Sequence, residues 1–228
     1  MSYLTGHVPW GPRETLLGIA GLAVAVAAST GLLLLLLRAV GADGTPVWTV
    51  LVSTAFLQAA MVALAGALGP RRWRVSFVAL FGPRVLSTGK LCGWGAVALS
   101  ASIAAGAIFT TVAAQLSDRL VPLPLPETLD LKELPVLTFA AVVLVGPTVE
   151  ELFFRGFLFS GLLGSWGLWR AAATSAALFA AVHLDIAVAG PAFLSGVVFA
   201  VVYRRSGSLW PAILAHTSQN AIAFGLTA

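Results

Sequence analysis

The sequence predicts an all-α fold, a polytopic membrane bundle of about seven spanning helices plus one interfacial amphipathic helix. Of the 228 residues, 59% are hydrophobic and only 10% are charged. A soluble domain carries about 25% charged residues, so this chain has too few to cover a surface exposed to water. Its mean hydropathy is +0.96, and its apolar residues form runs of about 20, the length that crosses a bilayer as a helix.

Seven apolar runs are candidate spans, and together they predict a single integral-membrane domain over residues 1–228. In order, they are Leu16–Leu37, Val47–Leu68, Leu91–Leu116, Val136–Leu163, Arg170–Ala189, Pro191–Tyr203 and Leu209–Ala228. The first run is longer than the apolar part of a cleavable signal peptide, so we interpret it as an anchor. The sixth run is short for a span unless it begins near Ile186.

Two connectors set the expected orientation. The connector Gly69–Arg84 contains four arginines among aromatic residues, which predicts an amphipathic helix lying in the interface. With Lys90, it holds five positive charges and no acid, which is typical of a cytoplasmic side. The connector Ser117–Pro135 carries four acids instead: Asp118, Glu127, Asp130 and Glu133. We therefore expect a multi-pass protein of a bacterial-type cell membrane with a cytoplasmic amino terminus, Arg38 being the one exception.

The net charge of +4 needs no nucleic-acid partner, because the basic residues lie in loops between apolar runs. The expected partners are membrane lipid and a protein or peptide substrate. The single cysteine, Cys92, excludes an internal disulfide and a zinc-finger set of thiolates. Its apolar surroundings predict a small buried core residue.

The stretch "PTVEELFFRG" places two carboxylates and an arginine inside an apolar segment. Each costs about 2.5–3.5 kcal/mol at the centre of a span, so such residues are functional candidates. Glu151 and Arg155 are four positions apart, the spacing at which they form an ion pair on one helix face. Glu150 points about 100° away and has no counter-ion on its own helix. A carboxyl in that position is suited to acid or base chemistry.

Two of the three histidines lie in late apolar segments: His183 in "LFAAVHLD" and His216 in "AILAHTSQNAIA". His7, in the amino-terminal tail, is interpreted as a solvated residue. Asn220 lies one turn after His216 and shares its helix face. A straight helix from Arg170 would carry His183 about 20 Å away and closer to the outer surface than the other candidates.

These side chains are suited to activating water, by either of two routes. A carboxylate with an imidazole nearby can take a proton from water and transfer it to a leaving amine. An imidazole and an amide on one helix face can donate to a developing oxyanion. Alternatively Glu150, His183 and His216 could be ligands of a divalent metal such as zinc, with one open position. The spacing does not separate the two routes.

Three motifs in order resemble those of the CAAX protease and bacteriocin-processing family of intramembrane proteases, which includes the Ras-converting CAAX prenyl endopeptidases. "EELFFR" is similar to the family's E-E-x-x-x-R motif, "FAAVH" to F-x-x-x-H, and "HTSQN" to H-x-x-x-N. All three lie within residues 147–220. The resemblance implies that Glu150 is the general base that activates water and that His183 assists it.

The same resemblance implies that His216 and Asn220 stabilise the oxyanion, while Glu151 and Arg155 support the geometry. It favours the glutamate-type description slightly over the metal-dependent one. The expected function is hydrolysis of a peptide bond in a membrane-associated protein or peptide.

Two other functions remain open from the sequence. The first is a catalytically inactive membrane scaffold or immunity protein of the same fold, against which the intact motifs argue. The second is a proton-coupled transporter, because intramembrane Glu and His residues also serve as proton relays. Transporters tend to show repeats with broken helices in both halves. Here the buried ionisable candidates all lie in the second half, which disfavours a transporter.

Overall fold

The computed structural model describes residues 8–41, 45–120 and 134–227, and every regular element in these ranges is a helix. The all-α class is thereby confirmed. The α-helices are α1 Pro12–Val40, α2 Val47–Gly66, α3 Thr88–Ala114, α4 Pro135–Phe139, α5 Gly146–Glu151, α6 Ser160–Ala181, α7 Ile186–Ser206 and α8 Trp210–Thr227. π-helical segments occupy Ala67–Arg71, Ala140–Val145 and Leu152–Phe159.

Five helical stretches of the described chain are long and apolar enough to cross a membrane: Pro12–Val40, Val47–Arg71, Thr88–Ala114, Pro135–Ala181 and Ile186–Ser206. The fourth has 47 residues and bends at Gly167, whose backbone (φ 73°, ψ 174°) is not helical. Its two arms correspond to the fourth and fifth predicted spans. The chain is an integral membrane protein.

Two predicted span boundaries in the carboxy-terminal part differ from the helix boundaries in the structure. The predicted fifth span reached Ala189, but α6 ends at Ala181, and α7 begins at Ile186, the start that the sixth span required. The Asp185 carboxylate ends the intervening turn by accepting a hydrogen bond from the Ala187 N–H at 2.8 Å. Such a side-chain cap satisfies a backbone donor that a helix start leaves free. The turn therefore places His183 directly after α6.

The connector Gly69–Arg84 differs from the predicted amphipathic helix. It forms a 3₁₀ helix of only five residues, Phe77–Phe81, and packs into the bundle. Leu80 is fully buried, and its carbonyl oxygen lies so close to Gly156 that a Cβ there would approach within 2.6 Å. The Phe81 carbonyl also accepts a hydrogen bond from the Leu209 N–H at 2.8 Å. These tertiary contacts outweigh the amphipathic pattern.

The core of the bundle is the π-helical segment Leu152–Phe159, all of whose residues are buried. Just before α1, the Trp10 indole N–H donates to the Phe157 carbonyl of this segment at 3.0 Å. Gly18 lies against the Phe157 ring without room for a side chain. Arg155 of the sequence motif therefore lies in a fully buried segment, and Glu151 directly precedes that segment.

One buried-residue prediction is wrong, and two predictions lie outside the described residues. Cys92 is exposed, because the outer side of α3 is apolar without being covered by other helices. The assignment of His7 to a solvated tail lies outside the described residues. The same holds for most of the acidic connector, including Glu127, Asp130 and Glu133.

Candidate active site

The two glutamates of the motif lie on α5, a short α-helical segment between two π-helical ones. π-helical segments often occur at functional sites. The neighbouring carboxylates have different surroundings: the Glu151 side chain is completely buried, whereas 28% of the Glu150 side chain is exposed. Of the two, only Glu150 can meet water or a substrate directly.

Glu151 and Arg155 form the ion pair that their spacing predicted. Arg155 Nη1 donates to Glu151 Oε1 at 2.8 Å, and neither side chain is exposed. The guanidinium also lies over the Phe179 ring, with its carbon 4.4 Å from the ring centre. Such cation–π contacts add to the attraction that offsets the cost of burying a charge. Arg155 is thus enclosed by an acid and by aromatic rings.

His216, on α8, lies between the two carboxylates. Its Nδ1 is 3.0 Å from Glu151 Oε1, and its Nε2 is 3.7 Å from Glu150 Oε2. An ionised carboxylate only accepts hydrogen bonds, so Nδ1 carries a proton and donates to Glu151. Glu151 thus fixes the imidazole so that Nε2 faces Glu150. The sequence left Glu150 without a counter-ion, and the packing of α8 supplies an imidazole there.

His183 reaches the cluster through Phe179. Its Nδ1 is 2.8 Å from the Phe179 carbonyl, which only accepts hydrogen bonds, so Nδ1–H is the donor and Nε2 is left as an acceptor. The Phe179 ring meets both imidazoles edge-on, with centroid distances of 4.9 Å to His183 and 5.6 Å to His216. Both imidazoles thus contact one ring, so His183 lies near His216 although the sequence predicted a difference in depth.

Asn220 lies one turn beyond His216 on α8, as its spacing predicted. Its Nδ2 donates to the Val142 carbonyl at 2.9 Å, which holds α8 against the π-helical segment Ala140–Val145. An amide nitrogen has two hydrogens, so this bond leaves one of them for another acceptor. Sequence reasoning identified Asn220 but not its partner, because a backbone carbonyl gives no signal in the sequence.

Gly196, on α7, is a site residue that sequence reasoning missed. A Cβ at this position would lie 2.8 Å from Arg155 Nη2 and 2.9 Å from the Ala176 Cβ. Only glycine therefore leaves room for the buried guanidinium. Nothing distinguishes Gly196 in the sequence from the other 22 of the 23 glycines.

The three candidate zinc ligands do not form one donor group. Glu150 and His216 approach each other, but His183 directs its Nδ1 to the backbone carbonyl of Phe179. Within the described ranges, no three His, Cys, Asp or Glu side chains are placed to hold one ion. This arrangement does not fit the predicted metal site.

The fold and the cluster define a polytopic helical membrane protein with a carboxylate–imidazole site buried among its late helices. Residues 132–222 match the family model described as type II CAAX prenyl endopeptidase Rce1-like. This match confirms the resemblance that the three motifs indicated.

Part of the chain is also similar to a curated bacterial protein. "Putative membrane peptidase YdiL" of Bacillus subtilis (strain 168) is 32% identical to this chain over 77 residues. That segment is 34% of this chain and 32% of the relative, so the similarity spans about a third of each protein. No solved structure matches the chain.

Proposed function

We propose that the protein is an intramembrane endopeptidase that hydrolyses a peptide bond of a membrane-associated protein or peptide, with Glu150 as the base that activates water. The observation that carries this proposal is the pairing of a partly exposed Glu150 with His216 Nε2 at 3.7 Å, inside an apolar bundle. The family match and the membrane-peptidase relative support the reaction class.

The charges of the cluster favour a shared proton between Glu150 and His216. Two ionised carboxylates and Arg155 leave one net negative charge, and a single further proton on either Glu150 or His216 makes the cluster neutral. Uncompensated charge is strongly unfavourable in a low-dielectric site. Glu151 and Arg155 are buried and paired with each other, so both stay charged. The proton that moves is therefore the one shared by Glu150 and His216.

The reaction begins when the Glu150 carboxylate takes a proton from a water molecule. The resulting hydroxide forms a C–O bond to the carbonyl carbon of the substrate, and the carbonyl oxygen becomes an oxyanion. His183 Nε2, an acceptor in the tautomer set by Phe179, can accept a hydrogen bond from the same water. Positioned proton transfer of this kind contributes about 10²- to 10⁴-fold to rates.

The oxyanion then receives hydrogen bonds from α8. With the shared proton on His216, Nε2–H donates, and Asn220 offers the amide hydrogen that Val142 does not use. When the intermediate collapses, the C–N bond breaks and the leaving amine takes the proton that Glu150 received from water. The cluster returns to its starting charge, with one water molecule consumed.

The test is the substitution Glu150→Gln, which keeps the volume and removes the base. Membranes containing the parent chain or the variant are compared by mass spectrometry for newly formed protein termini. The purified proteins in vesicles are then assayed with a CAAX peptide, prenylated and unprenylated. We expect Glu150→Gln to reduce turnover about 10²- to 10⁴-fold without loss of thermal stability, because Glu150 is partly exposed.

The matched control is Glu14→Gln on α1. The Glu14 carboxylate accepts a hydrogen bond from the Gly11 N–H, and a glutamine oxygen can accept the same bond. This variant should cleave at the parental rate. The proteolytic proposal fails if Glu150→Gln cleaves as fast as the parent, or if the parent produces no new termini and cleaves neither peptide.

A further inference from the structure

A second site lies away from the Glu150 cluster, where α7 ends and α3 begins. Three adjoining cavities of about 530, 580 and 300 Å³ meet there, and Arg84 lines all of them. Arg205 lines two of the three. We call this the Arg84 groove. It is lined chiefly by Arg84, Lys90, Trp94, Arg204, Arg205 and Trp210.

The Arg84 groove is strongly and uniformly positive. Its four cationic side chains, Arg84, Lys90, Arg204 and Arg205, are all exposed. No acidic residue lines the three cavities, and within the described part of the chain none of the four cations forms an ion pair. Four like charges around one groove favour an anionic ligand that reduces their repulsion.

Arg84 is held in place by the backbone. Its N–H donates to the Gly207 carbonyl at 3.0 Å, in the turn between α7 and α8. Gly82 has a φ of 90°, and a Cβ there would lie 2.7 Å from the Gly207 oxygen, so this close approach requires glycine. Gly207 in turn lies against the Arg84 stem, where a Cβ would come within 2.7 Å of Cδ. These contacts fix the position of Arg84 in the groove.

The smallest cavity of the groove is mainly apolar and lies beside the charged part. Its walls include Phe81 and Trp210, whose rings stack with centroids 5.1 Å apart. Val78 and Leu91 continue the apolar wall. Ser208 also lines it.

We propose that the Arg84 groove binds an anionic phospholipid. The headgroup phosphate contacts Arg84 and Arg205, and an acyl chain lies along Val78, Phe81 and Trp210. The cations lie at the ends of candidate spans, where lipid headgroups are found, and basic pockets between spanning helices are typical sites for such headgroups. This inference is independent of the proposed peptidase activity.

The experiment uses the full chain purified in a neutral detergent. Binding of short-chain phosphatidylglycerol is measured by native mass spectrometry and by thermal unfolding, beside phosphatidylcholine of the same chain length and inorganic phosphate. The test variant is Arg84→Gln/Arg205→Gln. The control, Arg72→Gln/Arg170→Gln, removes the same charge from exposed arginines outside the groove.

We expect the parent to bind phosphatidylglycerol at least about tenfold more tightly than phosphatidylcholine. The test variant should lose about 10- to 30-fold of that affinity, and the control should stay within about twofold of the parent. Because the Arg84 stem packs on Gly207, the single variant Arg205→Gln provides a second reading, with a loss of about three- to tenfold.

Three results would overturn the proposal. The first is equal binding of the two lipids by the parent, as expected if the arginines serve only membrane topology. The second is equal loss of affinity in the test and control variants, which would indicate a general charge effect. The third is stabilisation by inorganic phosphate equal to that by phosphatidylglycerol, which would assign the groove to a free anion.

Discussion

The amino-terminal and carboxy-terminal candidate spans are similarly apolar but differ in how they are packed. In the three amino-terminal spans, 17%, 22% and 17% of an 18-residue apolar stretch is buried inside the protein. In the two later candidate spans the value is 44% for each. Lipid tails are as apolar as these side chains, so apolarity alone does not drive spanning helices to pack closely against one another.

Charge explains the difference. The described ion pairs all lie in the carboxy-terminal region, where Glu150, Glu151, Arg155 and His216 meet. Charges inside a bilayer are tolerated only when partners and other protein groups enclose them. The phenylalanines of Leu152–Phe159 enclose these charges. The amino-terminal helices form an apolar layer outside the charged cluster.

Among the substitutions that test this difference, Arg155→Met should have the largest effect on the free energy of unfolding. It leaves the buried Glu151 carboxylate with His216 as its one charged partner, and breaking a buried pair costs about 3–5 kcal/mol. We expect that loss in the free energy of unfolding, measured by denaturant titration in detergent. Arg38→Met, at an exposed position on α1, should leave stability unchanged.

A double variant shows whether the pair serves stability or the site. Glu151→Leu/Arg155→Met removes both charges, and such replacements often restore stability. We expect most of the lost stability to return while the proposed peptidase activity does not, since His216 then has no Glu151 to orient it. If Arg155→Met is as stable as the parent, charge is not the reason for the packing of this region.

The next effect is on turnover. Asn220→Ala removes a proposed oxyanion donor, and such a loss reduces kcat about 10²- to 10³-fold. Its hydrogen bond to Val142 contributes only about 1 kcal/mol to stability. The matched control is Gln115→Ala, an exposed amide at the end of α3. A fall in kcat equal to the loss of folded protein would make Asn220 a structural residue.

The smallest effect comes from one substitution made in both regions. Gly196→Ala forces a methyl group against Arg155 and Ala176, and such overpacking costs about 1–3 kcal/mol. Gly31→Ala on α1 has open space around it and should be neutral or stabilising by up to about 1 kcal/mol. The midpoint of thermal unfolding is measured for both variants. Equal shifts of this midpoint would show that the two regions do not differ in how closely they are packed.

Local spacing predicted the contacts made within a single helix. The Glu151–Arg155 pair and the shared face of His216 and Asn220 follow from a period of 3.6 residues, and the structure contains both. The start of α7 at Ile186 was required by length alone. The break at Gly167 lies between the predicted fourth and fifth spans. The short 3₁₀ helix at Phe77–Phe81 and the exposure of Cys92 were not predicted, because each depends on what the neighbouring helices leave open.

The sequence alone therefore determined the helical membrane class, the residues of the candidate site other than Gly196, and the pairs within one helix, since composition and periodicity act over a few turns. The tertiary structure decided that His216 lies between Glu150 and Glu151, that both imidazoles contact the Phe179 ring, and that Gly196 accommodates Arg155. These contacts join helices distant along the chain. Their geometry depends on the rotation and depth of each helix against the next, which spacing along one helix does not encode.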